Sequence, residues 1–215
     1  MHAHAKRFIP AAGADWLLPL YDPFVRLLVR EKRVRGALLD AAELGESSRV
    51  LDLGCGTGSL VVMLKRRHPS ARVAAIDPDP KALARARAKA ARAGAAVDFQ
   101  QGFADALPYE SGAFDRVLSS LMLHHLTDAE KDAALRETFR VLAPGGTLHV
   151  LDFTETRGGG LHALAHRLRG GHAEHGHAAS LPERMRAAGF REVAELARMR
   201  TLVGGLSLHR GSRAA

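Results

Sequence analysis

The residues with the clearest chemical potential form one short run, Asp52-Leu-Gly54-Cys-Gly56-Thr-Gly58. Glycines at alternate positions predict a tight turn, because glycine tolerates positive φ and has no Cβ to keep a ligand away from the backbone. The apolar segment 49–53 before the turn is typical of a buried strand, and a helical pattern follows the turn. Because a helix that begins there points its first N–H groups at the ligand, the run predicts a nucleotide-binding unit.

The residues beside the turn distinguish between kinds of nucleotide. A phosphate-binding loop has Lys-Ser/Thr after its last glycine, but Ser59-Leu60 stands here. A dinucleotide fingerprint has glycine or alanine where Ser59 stands, which disfavours an oxidoreductase that uses NAD. The carboxylate of Asp52 is a poor neighbour for pyrophosphate and a good one for a positive group. We therefore expect a cationic or zwitterionic ligand.

Strand and helix patterns alternate from residue 49 to residue 152. This alternation predicts an α/β fold with a single doubly wound, Rossmann-like sheet, mostly parallel, with helices on both faces. The five strands predicted here are Arg49–Leu53, Arg72–Asp77, Ala96–Gln101, Phe114–Ser119 and Thr147–Asp152. Ligands of such folds lie at the carboxyl edge of the sheet, next to the glycine turn.

Capping signals place the helices between these strands. Asp79-Pro80 predicts an N-cap followed by proline at the first helical position. Thr127-x-x-Glu130 predicts a capping box at the start of a later helix. That helix is expected to end at Pro144-Gly145-Gly146. Farther along, Ser180-x-x-Glu183 predicts a short helix before two strand-like runs near residues 192–197 and 201–209.

The amphipathic pattern before the first strand predicts an N-terminal helical cap, residues 1–45, followed by a main domain, residues 46–215, and the two are expected to form one compact unit. Within the main domain, residues 157–178 are predicted to be a mobile loop rich in glycine and histidine. The loop contains His162, His166, His172, His175 and His177. These histidines lack the cysteines or the Glu-containing helical spacing of zinc sites, so no metal is expected.

Charge and cysteine content narrow the function classes. The 215 residues carry a formal net charge of +8, and the positive side chains are spread along the chain without interleaved aromatic residues, so a nucleic-acid partner is not favoured. No apolar run approaches the about 18 residues of a membrane span. The single cysteine, Cys55, excludes an internal disulfide and fits a cytoplasmic protein. The sequence does not specify an oligomeric state.

Five segments in register resemble the class I S-adenosylmethionine-dependent methyltransferases, over about residues 49 to 152. They are the glycine run, Asp77 at the end of the second strand, Gln101–Tyr109, Phe114–Ser120 and Arg140–Leu148. Within that class, Leu107-Pro-Tyr109 and Leu123-His-His-Leu126 resemble the ubiquinone/menaquinone-biosynthesis type. The resemblance also implies that the last strand is antiparallel.

The resemblance implies S-adenosylmethionine as cofactor and assigns residues to it. By this resemblance, Asp77 is expected to accept hydrogen bonds from the ribose hydroxyls. The segment that is expected to flank adenine has Phe103 where many relatives have aspartate, so the contact to the adenine amino group is open. The complete set of cofactor-binding residues expected here is Asp52, Gly54, Gly56, Gly58, Asp77, Pro78, Phe103, Ala104, Asp105 and Ser119.

Acceptor chemistry is expected where the fourth strand ends. His124 and His125 follow that strand, and histidine titrates near neutral pH, so either can take a hydroxyl proton, with His124 slightly favoured over His125. Their alternative role is to support the loop. Weaker acceptor-site candidates are Tyr21, Met122, Asp152 and Glu155.

These observations predict a methyltransferase that acts on a small, partly apolar acceptor by in-line methyl transfer. The absence of Asn/Asp-Pro-Pro-Tyr/Phe after the fourth strand disfavours amino methylation of bases. Two alternatives stay open: an RNA or protein methyltransferase guided by basic helix faces, and a cofactor-binding module without turnover.

Overall fold

A computed structural model describes residues 31–154, 179–201 and 204–215. Several sequence predictions fall outside these ranges: the first part of the N-terminal cap, the Gly/His-rich loop 157–178 with its five histidines, and the candidate acceptor residues Tyr21 and Glu155.

The described strands form one seven-stranded sheet in the order β3-β2-β1-β4-β5-β7-β6. The strands are β1 Arg49–Leu53, β2 Arg72–Asp77, β3 Asp98–Gln101, β4 Phe114–Ser120, β5 Leu142–Phe153, β6 Arg191–Thr201 and β7 Gly204–Ser212. Only β7 runs against its two neighbours, β5 and β6. This topology confirms the predicted doubly wound sheet and its antiparallel last strand.

The helices of the described residues cover both faces of the sheet. They are α1 Glu31–Ala41, α2 Ser59–Arg67, α3 Pro80–Arg92, α4 Asp128–Val141 and α5 Leu181–Ala187, with a short 3-10 helix at Leu123–His125. Both predicted capping boxes, at α4 and α5, are present. Asp79 caps α3 as predicted, because its side chain accepts a hydrogen bond from the N–H of Lys81 at 2.8 Å. None of the described helices is long and apolar enough to cross a membrane.

The end of α4 differs from its prediction. The helix ends at Val141, before Pro144-Gly145-Gly146, and β5 begins at Leu142 instead of Thr147. The strand can start early because Leu142 pairs with the first residue of β4 before the register shifts. Gly145 and Gly146 then exchange backbone hydrogen bonds with Arg213, at 2.9 and 2.8 Å. Pairing between distant segments therefore draws the glycine turn into the sheet.

Alternation along the central strands divides the core into two layers. Val50 and Leu118 face the layer formed with α1, α2 and α3, whereas Leu51 and Val117 face the layer formed with α4 and α5. Burial of one such side chain contributes about 1.5–3 kcal/mol. Because both faces are covered, the ligand-accessible part of the central strands is their carboxyl edge.

Candidate functional site

A cavity of about 310 Å³ lies at the carboxyl edge of β1, β2 and β4. Its volume is at the lower end of the about 300–1,000 Å³ of small-molecule sites. The sequence-predicted residues that line it are Asp52, Gly54, Gly56, Asp77, Pro78, Phe103, Ala104, Met122 and His125. The structure therefore brings most of the predicted site residues together around one space.

The glycine turn forms one side of the cavity. Gly54 has φ of 75°, and a Cβ there would lie 2.9 Å from Cβ of Met122, so only glycine lets the two segments approach. Gly56 has φ of 52°, and a Cβ there would meet no atom within 4 Å. Gly58 does not line the cavity; it packs against Ala86 of α3. The three glycines thus have distinct roles, and Gly56 presents backbone to open space.

Asp77 is fixed at the end of β2 by backbone donors. Its Oδ2 accepts a hydrogen bond from the N–H of Gly56 at 2.8 Å, and its Oδ1 accepts one from the N–H of Asp79 at 2.9 Å. Burial raises the pKa of Asp77, although these two hydrogen bonds oppose the increase. Each carboxylate oxygen can accept a further hydrogen bond, which suits the ribose role expected for Asp77.

Asp52 is the most unusual group in the cavity wall. It is 1% exposed, and its Oδ2 has no hydrogen-bond partner. Burial raises the pKa of Asp52 to about 7, with the charge of Arg35 opposing the increase and that of Asp77 adding to it. A buried carboxylate without a partner is costly unless a ligand supplies one. This arrangement supports the expected positive ligand group.

Sequence reasoning missed Arg35, which lies on α1 and lines the cavity. Arg35 stands beside the apolar stripe of its helix, next to buried Val34. Nothing in the local pattern distinguishes it from other basic residues of α1, such as Arg33.

The end of β4 places two neighbouring serines differently. Ser119 does not line the cavity, whereas Ser120 does. Ser119 is only 1% exposed, whereas Ser120, the next residue along the strand, lies on the same face of the sheet as Asp52 because side chains alternate along a strand. Leu121 follows with φ of 59°, a conformation that costs energy for a branched side chain, and it too lines the cavity.

The two histidines are placed differently. His125 lines the cavity and His124 does not. Nδ1 of His124 lies 2.6 Å from Oδ1 of Asp152, and the N–H of His124 donates to Oδ2 of Asp152 at 3.0 Å. The His124 ring also packs against His125, with ring centroids 4.0 Å apart, and against Phe153, at 4.9 Å. Asp152 and its neighbours thus hold the His124 ring next to the cavity.

The ionisation of Asp152 decides the proton position on His124. Burial would raise the pKa of Asp152, but the hydrogen bonds from His124 and from the N–H of Phe153 outweigh it and lower that pKa. An ionised carboxylate can only accept, so Nδ1 of His124 donates the hydrogen bond to Asp152.

Two remaining predictions concern Asp105 and metal. Asp105 is not among the residues that line the cavity, whereas Phe103 and Ala104 of the same predicted adenine-binding segment are. Among residues 31–154, 179–201 and 204–215, no group of three or more metal-ligating side chains is found.

Comparisons with known proteins agree with this geometry. Residues 50–146 match the family described as methyltransferase domain. The chain is 45% identical over 139 residues to a demethylmenaquinone methyltransferase from Thermus thermophilus, covering 64% of this chain and 62% of that protein. It is 40% identical over 116 residues to a ubiquinone/menaquinone biosynthesis C-methyltransferase from Xylella fastidiosa, covering 53% of this chain and 45% of that protein. The alignments thus span about half to three-fifths of these relatives.

Over residues 50–146, just under half of its 215 residues, the chain is similar to methyltransferase domains. Among solved structures, the S-adenosylmethionine-dependent methyltransferase SibL superposes with a TM-score of 0.68 at 28% identity, over 91% of this chain and 59% of that one. S-adenosylmethionine is the cofactor of the family, and it carries a sulfonium and an amino-acid end but no phosphate. The orphaned Oδ2 of Asp52 and the open space above Gly56 fit such a group.

Proposed function

We propose that this protein is a methyltransferase that transfers the methyl group of S-adenosylmethionine to a small, partly apolar acceptor of the quinol or phenol class. The observation that carries the proposal is the cavity at the carboxyl edge of the sheet, which is lined by Asp52, Gly56, Asp77 and His125. The His124–Asp152 pair contacts this wall through the ring of His125. The names of the relatives, which refer to menaquinone and ubiquinone synthesis, support a quinol acceptor.

We further propose how the residues divide the work. Asp52, Gly54, Gly56, Asp77 and Pro78 hold the cofactor, which supplies when bound an electrophilic methyl group on a good leaving group. Phe103 and Ala104 border the adenine. The protein must also position the acceptor in line with the methyl–sulfur bond and exclude water from the site. Residues 1–45 and 46–215 act as cap and catalytic domain in this proposal.

His124 is the proposed general base. Its Nε2 lone pair takes the hydroxyl proton of the acceptor, while Asp152 accepts from Nδ1–H and stabilises the imidazolium that results. Removal of the proton increases the electron density of the phenolate ring and oxygen, so the acceptor becomes the stronger nucleophile. Leu121 and Met122 provide an apolar wall for the ring of that acceptor.

The first test is label transfer. The protein is incubated with methyl-labelled S-adenosylmethionine and a cell extract, and the organic, RNA and protein fractions are counted. Label in the organic phase, reproduced with a purified demethylated naphthoquinol, is the expected result. Label that appears only in RNA or protein would reject the small acceptor and favour guidance by the basic helix faces. Tight cofactor binding without label in any fraction would favour the module without turnover.

Two variants test the base. His124→Gln and Asp152→Asn are expected to lower kcat by about 10²–10⁴-fold while leaving S-adenosylhomocysteine affinity within threefold of the parent. Asp128→Asn, an exposed change at the start of α4, is the matched control. Parent-like rates in both site variants would return His124 to a supporting role in the loop.

A further inference from the structure

The charges on the cavity wall are unevenly distributed. Four carboxylate side chains line it: Asp52, Asp77, Asp79 and Glu130. Among the described lining residues, Arg35 is the only lysine or arginine. A wall with this balance is complementary to a ligand whose net charge is positive but which contains one anionic group. The amino-acid end of S-adenosylmethionine has an ammonium and a carboxylate, next to the sulfonium.

The ammonium and carboxylate groups of the ligand must meet different partners. Asp52 is 1% exposed with Oδ2 unpartnered, so a donor from the ligand would satisfy it. Arg35 is close enough for its charge to act on Asp52. A guanidinium offers paired N–H donors whose geometry matches a carboxylate, whereas the other charged lining groups named above repel one.

Helix α1 is anchored to the sheet domain on both sides of Arg35. Val34 and Leu38 are buried in the core layer. Near the end of α1, Asp40 forms an ion pair with Arg67 of α2 at 2.7 Å. Just beyond, the carbonyl oxygen of Ala42 accepts a hydrogen bond from Nε of Arg116 on β4 at 2.8 Å. These contacts fix the helix that presents Arg35 to the end of β1.

We infer that Arg35 binds the α-carboxylate of the cofactor's amino-acid end, across from Asp52, which faces its ammonium. This inference rests on the proposed function, because it concerns the same cavity and cofactor. It assigns α1 a part in cofactor recognition, in addition to its packing role. Arg35 and Asp52 together then recognise both charges of the amino acid, and an adenosine derivative without the carboxylate loses one of the two contacts.

The test pairs a protein change with the matching ligand change. Calorimetry measures the affinity of the full chain for S-adenosylmethionine and for decarboxylated S-adenosylmethionine, which differ only in the carboxylate. Arg35→Gln is expected to weaken binding of the first ligand about 10- to 100-fold, the range of a charge-assisted contact. The same variant should leave the second ligand unchanged or bind it more tightly, because a positive charge near its ammonium is removed.

Two further variants serve as controls for Arg35→Gln. Arg35→Lys keeps the charge without the forked geometry and should recover part of the lost affinity. Arg33→Gln, an exposed change on the same helix, should leave both affinities at the parent value. Equal losses for both ligands in Arg35→Gln, or no loss for either, would overturn the inference while the proposed function stands. A parent protein that binds neither ligand would reject both proposals.

Discussion

The raised pKa of Asp52 makes cofactor binding depend on pH. Burial places this pKa at about 7, so about a tenth of the carboxyl is ionised at pH 6 and about nine-tenths at pH 8. The contact that we propose with the ammonium of the ligand requires the ionised form of Asp52. The affinity of the parent protein for S-adenosylhomocysteine should therefore increase about tenfold between pH 6 and pH 8, with proton release on binding below pH 7.

Asp52→Asn separates this effect from titration of the ligand. The variant should bind about 10- to 100-fold more weakly than the parent at pH 8 and lose the parent's extra pH dependence. Asp98→Asn, an exposed change on β3, should keep the parent profile. Calorimetry in two buffers of different ionisation enthalpy measures affinity and proton release together. Identical pH slopes for the parent and Asp52→Asn would refute the reasoning.

The same change should stabilise the unliganded fold. Because the pKa of Asp52 is raised in the folded protein, the folded state binds more protons than the unfolded state between about pH 4 and pH 7, and stability is lost as pH rises through that window. A pKa of about 7, well above the usual range of an aspartate, corresponds to a cost of about 4 kcal/mol at pH 8. Urea denaturation at pH 8 should show Asp52→Asn to be more stable than the parent.

Two further predictions concern groups on other strands. Asp77→Asn should weaken S-adenosylhomocysteine binding more than tenfold in calorimetry, because it removes the charge that holds the turn at Gly56 and that we propose to bind the ribose. Unchanged affinity would reject the ribose assignment. Burial and the charges of Arg116 and Arg210 lower the pKa of His149 to about 4. Between pH 6.5 and pH 4 the imidazole is therefore protonated in the unfolded state but not in the folded state. The free energy of unfolding of the parent should decrease by about 3 kcal/mol as the pH falls across that window. Urea denaturation at several pH values should show a smaller decrease in the free energy of unfolding for His149→Gln than for the parent, whereas the control His68→Gln should follow the parent.

Local signals in the sequence were sufficient for the central sheet and its ligand edge. The apolar strands, the glycine turn, Asp77 at a strand end and the two capping boxes each depend on neighbours within a few residues. Arg35 and the face of Ser120 depend instead on how α1 and β4 are placed in three dimensions. The early start of β5 depends on pairing with β4 and contacts to Arg213, about 70 residues away. Such long-range contacts have no signature in a window of sequence.

The sheet order also constrains the timing of folding during synthesis. β7 is inserted between β5 and β6, so neither neighbour is fully paired until residue 212 has left the ribosome. Until then, the edge of β5 that will face Leu206 and Leu208 has open hydrogen-bonding groups next to buried apolar residues, which favours association between nascent chains. The part of the sheet that carries Asp52 and Asp77 consists of strands from β1 to β4, so the cofactor edge can form early in synthesis. The strand that carries Asp152, β5, completes its backbone pairing only when β7 is added.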